Sequence, residues 1–414
     1  MKINKFIIAL LAVVAGISTL SAQNGTLTPY SRYGYGILRD NATAAQQSMG
    51  GVGIAMNSGR QINVMNPASY ARVDSLTFLF DMGIDFTTLW SHEKSTANGD
   101  VFQRQNGGGL NYITMQFPVS KRLGVSLGIL PYTSVGYSFG SAIENGSSSH
   151  SGSGSINQAY LGLGGKIVGG FNVGINFAYL FGTTANDNYA ITNQGSQTLF
   201  QDEISVRDWR MDLGAQYTQM IGRQHWTLGF VWSPARKLHG HLSTYAYDVS
   251  QDGTATPEIE RVKLQDGYGT AASYGVGLNV LHNQRIMVEA DFIYQPWSKV
   301  DYRGLKNQFA DRTKIALGVQ FQPTLRGGYL KRIQYRLGGY YNNDYLKVRD
   351  NRVKEYGASM GFGFPVPGYK TVVNLGLGWV HRQASPAALI KEDYFNITFG
   401  INFNETWFEK FKLH

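Results

Sequence analysis

The sequence predicts an all-β fold: a 14-stranded antiparallel transmembrane β-barrel with an N-terminal plug. Three observations carry this expectation. Apolar residues recur at every second position, over segments that often reach roughly 15–20 residues where a soluble strand runs about 5–6. The connections between these segments alternate between short and long, as the turns and loops of a membrane barrel do. After an N-terminal leader, no apolar run is long enough for a membrane helix, which needs about 20 residues.

Composition agrees. The chain has 414 residues with 50 glycines, 25 tyrosines and 22 phenylalanines, against 16% charged residues. Glycine and aromatics together favour strands joined by many turns. Cysteine is absent. That excludes a disulfide framework, Cys-based zinc or iron–sulfur centres and a thiol nucleophile. The net charge is +9, but Lys and Arg are scattered, often just after an alternating segment, as at Lys121-Arg122 and Lys331-Arg332. No basic run points to nucleic acid. Cations at strand ends suit anionic lipid headgroups instead.

Residues 1–22 read as a signal peptide. Lys2 and Lys5 precede an apolar stretch from Phe6 to Leu20, and Ser21-Ala22 offers a cleavage site. Residues 23–75 do not alternate and form the expected plug. Residues 76–414 form the barrel, and the expected location is the outer membrane. Its first segment shows the rule: Leu76, Phe78, Phe80, Met82, Ile84 and Phe86 make an apolar face, with Asp81, Gly83 and Asp85 on the other.

Fourteen such segments follow in order: 76–93, 108–119, 122–140, 156–168, 170–188, 204–221, 224–245, 266–281, 284–302, 308–323, 331–348, 352–366, 370–384 and 392–405. Short connections such as 119–122 and 168–170 would be periplasmic turns. Longer ones such as 93–108 and 245–266 would be extracellular loops. The segment 141–155, SAIENGSSSHSGSGS, reads as a flexible loop. Trp90, Trp226, Trp232, Trp297, Tyr340-Tyr341 and Trp379 lie near segment ends, where an aromatic girdle is expected.

No catalytic, cofactor or metal site is expected. Gly357-Ala358-Ser359-Met360-Gly361 fits G-x-S-x-G, but inside an alternating segment and not at a strand-to-helix turn. Gly50-Gly51-Val52-Gly53 follows no strand and opens no βαβ unit, so a dinucleotide loop is not expected. The eight histidines lack metal-binding spacing. Charged residues on the polar faces, namely Asp81, Asp85, Arg210, Asp212, Glu289, Asp291, Lys314 and Arg336, are expected to face the lumen. They would pair with one another and with the plug, or line a substrate path. Arg32 and Arg60 are candidate plug partners for the acids.

The stretch SMGGVGIA followed by INVMNPASYA, between Ser48 and Ala71, resembles the N-terminal signature of the long-chain fatty-acid transporter family of outer-membrane proteins, the FadL-like barrels. Ser69 stands where that signature usually has glycine. The resemblance implies a fourteen-stranded barrel closed by a hatch. Gly50, Gly51, Gly53, Asn66, Pro67 and Ala68 carry over as hatch elements. No ligand-contacting residue carries over by motif. The resemblance further implies passive transport of hydrophobic, fatty-acid-like small molecules, with lipids as surroundings. The alternative is a secretion-system or scaffold barrel that binds protein cargo, since the shuttle barrel of type IX secretion shares the layout.

Overall fold

The computed structural model describes residues 28–414 except 96–98, 144–145, 193–196, 250–257, 325–326, 388 and 407–414. The signal peptide and the first residues of the expected plug, 23–27, lie outside the described residues.

Alternation along the chain becomes a closed wall of fourteen strands. They are β1 (Thr77–Ser95), β2 (Gly99–Pro118), β3 (Leu123–Ile143), β4 (Gly146–Val168), β5 (Phe171–Thr192) and β6 (Gln197–Ile221). Next comes β7, in two pieces (Gln224–Ser233 and Gly240–Val249), then β8, also in two (Glu258–Lys263 and Ser273–His282). The wall continues through β9 (Ile286–Gln295), β10 (Arg312–Phe321), β11 (Gln334–Val348), β12 (Asn351–Pro365), β13 (Val372–Ser385) and β14 (Ile390–Thr406). Each strand pairs antiparallel with the next, and β14 pairs with β1 from Ile390↔Glu93 to Thr406↔Thr77. Closure satisfies the backbone without water, which is what lets strands cross a bilayer.

The two faces of each strand divide as period two requires. On β4, Leu161 and Leu163 are exposed to the outside, while Tyr160 points inward and is buried. The same outward apolar row continues through Phe177, Phe230, Leu278, Phe292, Leu317 and Phe399. This row faces lipid.

The wall is uneven in height. β9 and β10 have 10 residues each, close to the about 9–11 needed to span the bilayer. β4 has 23 and β6 has 25. The excess stands beyond the membrane at the long-loop end. Residues 146–155, expected to be a loop, are the upper half of β4, paired with β3 on one side and β5 on the other. Serine and glycine have little strand preference of their own, and the two flanking ladders impose it. The expected strands 224–245, 266–281 and 284–302 break or end early, at Ser233, before Ser273 and at Gln295.

Inside the long-loop end sits an aromatic core. Trp297 is 1% exposed and packs against Tyr345 (centroids 4.6 Å apart) and Phe309 (5.7 Å), with Tyr35 alongside. Trp297 is therefore a core residue and not part of a girdle. Tyr340 also faces inward, donating its hydroxyl to Glu355 at 2.6 Å.

Candidate functional site

Residues 28–76 fill the lumen as a plug. The wall receives it through glycines on its inner face. A Cβ on Gly338 would come within 2.1 Å of the Met49 carbonyl carbon, and one on Gly174 within 2.3 Å of the Pro67 carbonyl. These are backbone-to-backbone approaches that no side chain permits. The plug answers with Gly50 and Gly51, both at positive φ (+73° and +76°), where the chain reverses beside β10 and β11. Gly53 is crowded by the plug itself: its Cβ would meet Gln46 Nε2 at 2.3 Å. Asn66 caps the 3-10 turn Pro67–Arg72, accepting from the Ala68 N–H at 3.0 Å. Its amide donates to the Ile54 carbonyl at 2.7 Å, tying two plug segments together.

The lumen charges are spread among several partners. Asp291 accepts the Gly53 and Ile54 N–H groups at 2.7 and 3.0 Å, and Glu289 accepts the Ala55 N–H at 2.9 Å. The expected arginine partners do not reach them. Arg32 donates to Asn188 at 3.0 Å, and Arg60 pairs with Asp74 at 3.6 Å on the exposed edge of the plug. The close approach that the glycines allow puts backbone N–H groups on the acids, which leaves no room for a long side chain. Asp81 accepts from Tyr112 and Asn402. Asp85 lies further up β1, half-buried. Arg336 donates to Gln320 and Asn374 at 2.8 and 2.7 Å. Arg210 pairs with Asp212 at 2.9 Å beside a small cavity of about 80 Å³.

Of the expected lumen charges, only Lys314 lines a cavity of about 220 Å³ between the plug and the wall. There it meets residues that sequence reasoning missed: Asp40, Arg312, Glu355 and Arg382. Asp40, from the plug, bridges Lys314 and Arg312, the latter at 3.0 Å. Burial pushes the Asp40 carboxyl up, but Lys314 and Arg312 outweigh this and hold it well below the usual carboxylate range. Arg382 Nε donates to Glu355 at 2.8 Å. Glu355 was legible by parity, two residues before Gly357 on the same inward face. Asp40, in a segment without periodicity, carried no such signal.

The cavity reaches the wall at a defect. Among the described residues, β2 and β3 pair only from Ile113↔Ile129 to Pro118↔Gly124. Above that level β2 stays with β1 and β3 with β4, and the two edges part. Register shifts at Gly83/Ile84 and Pro131/Thr133 mark the base of the slot. Bulges bend and twist the strands that carry them, and proline has no N–H for a ladder. Gly109 on the β2 side faces open space. Behind the slot, the plug's two-residue strand Ile37–Leu38 pairs with Ser134 and Thr133 of β3. Leu38, Arg39 and Asn111 line the cavity at this point. The segment is held at its other end where Thr28 donates to Glu392 (2.7 Å) and Tyr30 to the Ile390 carbonyl (2.6 Å).

Among the described residues, no group of three or more His, Asp or Glu could hold a metal. Ser359 lies within β12 and accepts the Gly50 N–H at 2.8 Å. It has no strand-to-helix elbow around it.

Fold and site together define a plugged, fourteen-stranded barrel of the outer-membrane type, with a slot in its side. The chain belongs to the BamG family, whose sequence profile matches residues 2–414. No curated protein matches it. Among solved structures it is similar to the Pseudomonas putida toluene transporter TodX, at 14% identity and a TM-score of 0.63 over 90% of this chain and 100% of that one. The CymD monoaromatic hydrocarbon channel is similar at 14% identity and TM-score 0.60, over 90% and 100%. A Pseudomonas aeruginosa FadL homologue gives 12% and 0.59, over 90% and 99%. The shared property is the fold of the FadL-like barrels.

Proposed function

We propose that this protein is a passive conduit for largely apolar, fatty-acid-like small molecules in the outer membrane. Such molecules would exchange between the lumen and the bilayer through the slot between β2 and β3. The observation that supports this is that Leu38, Arg39 and Asn111 line the cavity at the level where β2 and β3 part, with the plug strand Ile37–Leu38 between. A cavity lined by Lys314, Arg312 and Arg382 suits a ligand with a polar head better than a bare hydrocarbon. The solved relatives are described as a toluene transporter and a monoaromatic hydrocarbon channel, which favours an apolar cargo.

The test uses the absence of native cysteine. Leu38 and Thr133 are register partners, and such antiparallel pairs lie about 4.5–5.5 Å apart, within disulfide reach. The double variant L38C/T133C, oxidised, should lose uptake of a labelled fatty acid and regain it on reduction. Uptake that is the same in both redox states overturns the slot as the route.

A second reading, a scaffold or secretion barrel that binds another polypeptide, is favoured by one observation. Among the described residues, the upper half of β2, from residue 99 to 111, pairs on one side only, with β1. A free strand edge can accept a strand from a partner.

A further inference from the structure

Among the described residues, the exposed charge at the short-turn end of the barrel is almost all positive, whereas cations and acids are mixed at the long-loop end. Each short turn carries an exposed Lys or Arg: Lys121 and Arg122 between β2 and β3, Lys166 before the next, then Arg223, Arg285, Lys331 and Lys370. The exposed acids at that end, among the described residues, are Asp74 and Glu405. In an outer-membrane barrel the short turns are periplasmic, so this rim lies at the headgroups of the inner leaflet.

Each cation also has an exposed apolar neighbour. Val119 and Leu123 flank Lys121-Arg122, and Ile167-Val168 follow Lys166. Met220-Ile221 precede Arg223, and Ile286 follows Arg285. In the longest turn, the four-residue helix Tyr329–Arg332 presents Leu330, 70% exposed, beside Lys331. Tyr369 stands next to Lys370.

We propose that this rim binds anionic phospholipids, with the headgroup phosphate on the cations and the acyl chains against the apolar neighbours. Two features select lipid over an acidic protein. The cations run round the whole circumference, where a protein partner needs a patch on one side. The interleaved apolar residues match a molecule that is charged at one end and hydrocarbon at the other. The inference is independent of what passes through the lumen.

The experiment places the mature protein in nanodiscs of equimolar phosphatidylglycerol and phosphatidylcholine, then counts retained lipids by native mass spectrometry. Phosphatidylglycerol should be retained in about fivefold excess, the equivalent of about 1 kcal/mol per contacting cation. The excess should collapse in high salt. It should also collapse in a variant with Gln at Lys121, Arg122, Lys166, Arg223, Arg285, Lys331 and Lys370. The R60Q/R72Q variant, altered on the plug at the same end, should keep it. Equal retention of the two lipids by the unaltered protein overturns the proposal. So does an excess that persists in high salt, or one lost in R60Q/R72Q, which would put the anion site on the plug. The salt titration needs no variant, so a misfolded rim variant leaves the test intact.

Discussion

Gly164 and Gly165 are adjacent on β4 and face opposite sides of the wall. A Cβ on Gly164 would lie 2.5 Å from the Pro67 carbonyl oxygen, 2.8 Å from Tyr70 Cβ and 2.9 Å from the Ala71 nitrogen. Reaching the 3.4 Å of ordinary contact means a retreat of about 0.9 Å by the Pro67 carbonyl. That carbonyl sits in the 3-10 turn that Asn66 caps, and β5 presses on the same turn, since Gly174 also abuts Pro67. The turn has nowhere to go without breaking those contacts. Overpacking of this kind costs about 1–3 kcal/mol. On Gly165 a Cβ meets only Leu123 Cδ1, at 3.9 Å. Alanine there should be neutral, or stabilising by up to about 1 kcal/mol, because glycine weakens a strand. Urea unfolding of each variant from lipid vesicles measures the difference. Amide exchange at residues 66–72 shows where it falls. Gly164→Ala should destabilise and speed exchange in the turn, and Gly165→Ala should do neither. Equal effects would mean that the plug is not seated against the wall as described.

Asp291→Ala leaves the Gly53 and Ile54 N–H groups without their acceptor, at about 1–3 kcal/mol each; their amides should exchange faster while exchange in β14 is unchanged. Phe399→Arg puts a charge on the lipid face and should cost about 2–4 kcal/mol near the midplane, read as lower refolding yield into vesicles. Asn402→Ala removes the donor that serves buried Asp81 at 3.0 Å and should cost about 1–3 kcal/mol, against the mild effect that its lumen position alone would suggest. Asp40→Asn should loosen the plug. Because the carboxyl is held below its ordinary value, its contribution is complete above about pH 4 and fades only as acid protonates the folded form. Plug exchange rates of variant and parent should differ most at neutral pH and converge in strong acid; a gap that widens on acidification contradicts the assignment.

The barrel was legible because lipid and lumen impose period two on every strand that crosses the membrane. Phe395, Ile397, Phe399 and Ile401 need no context to be read as one face. Legibility failed where other forces decide. Residues 147–155 are strand because β3 and β5 pair with them, not because serine and glycine prefer it. Trp297 looked like a girdle residue by composition and position, yet long-range packing with Tyr345 and Phe309 buries it. The lumen acids were placed on the inward face by parity. Their partners depended on how near the plug backbone could come, and no single-sequence pattern encodes that distance. Asp40 fell outside every rule, since its role exists only once the plug is folded against β10.

The fit between plug and wall has a consequence for assembly order. The plug precedes β1 in the chain, and the seam that closes the wall joins β14 to β1 from Ile390↔Glu93 to Thr406↔Thr77. The long-loop mouth is roofed by the aromatic core, and the inner glycines leave no clearance for a side chain to slide past. A folded plug could not enter a finished cylinder by either end. A plug that is already folded has to be inside before the β14–β1 seam closes, so the contents and the cylinder cannot be finished independently of one another.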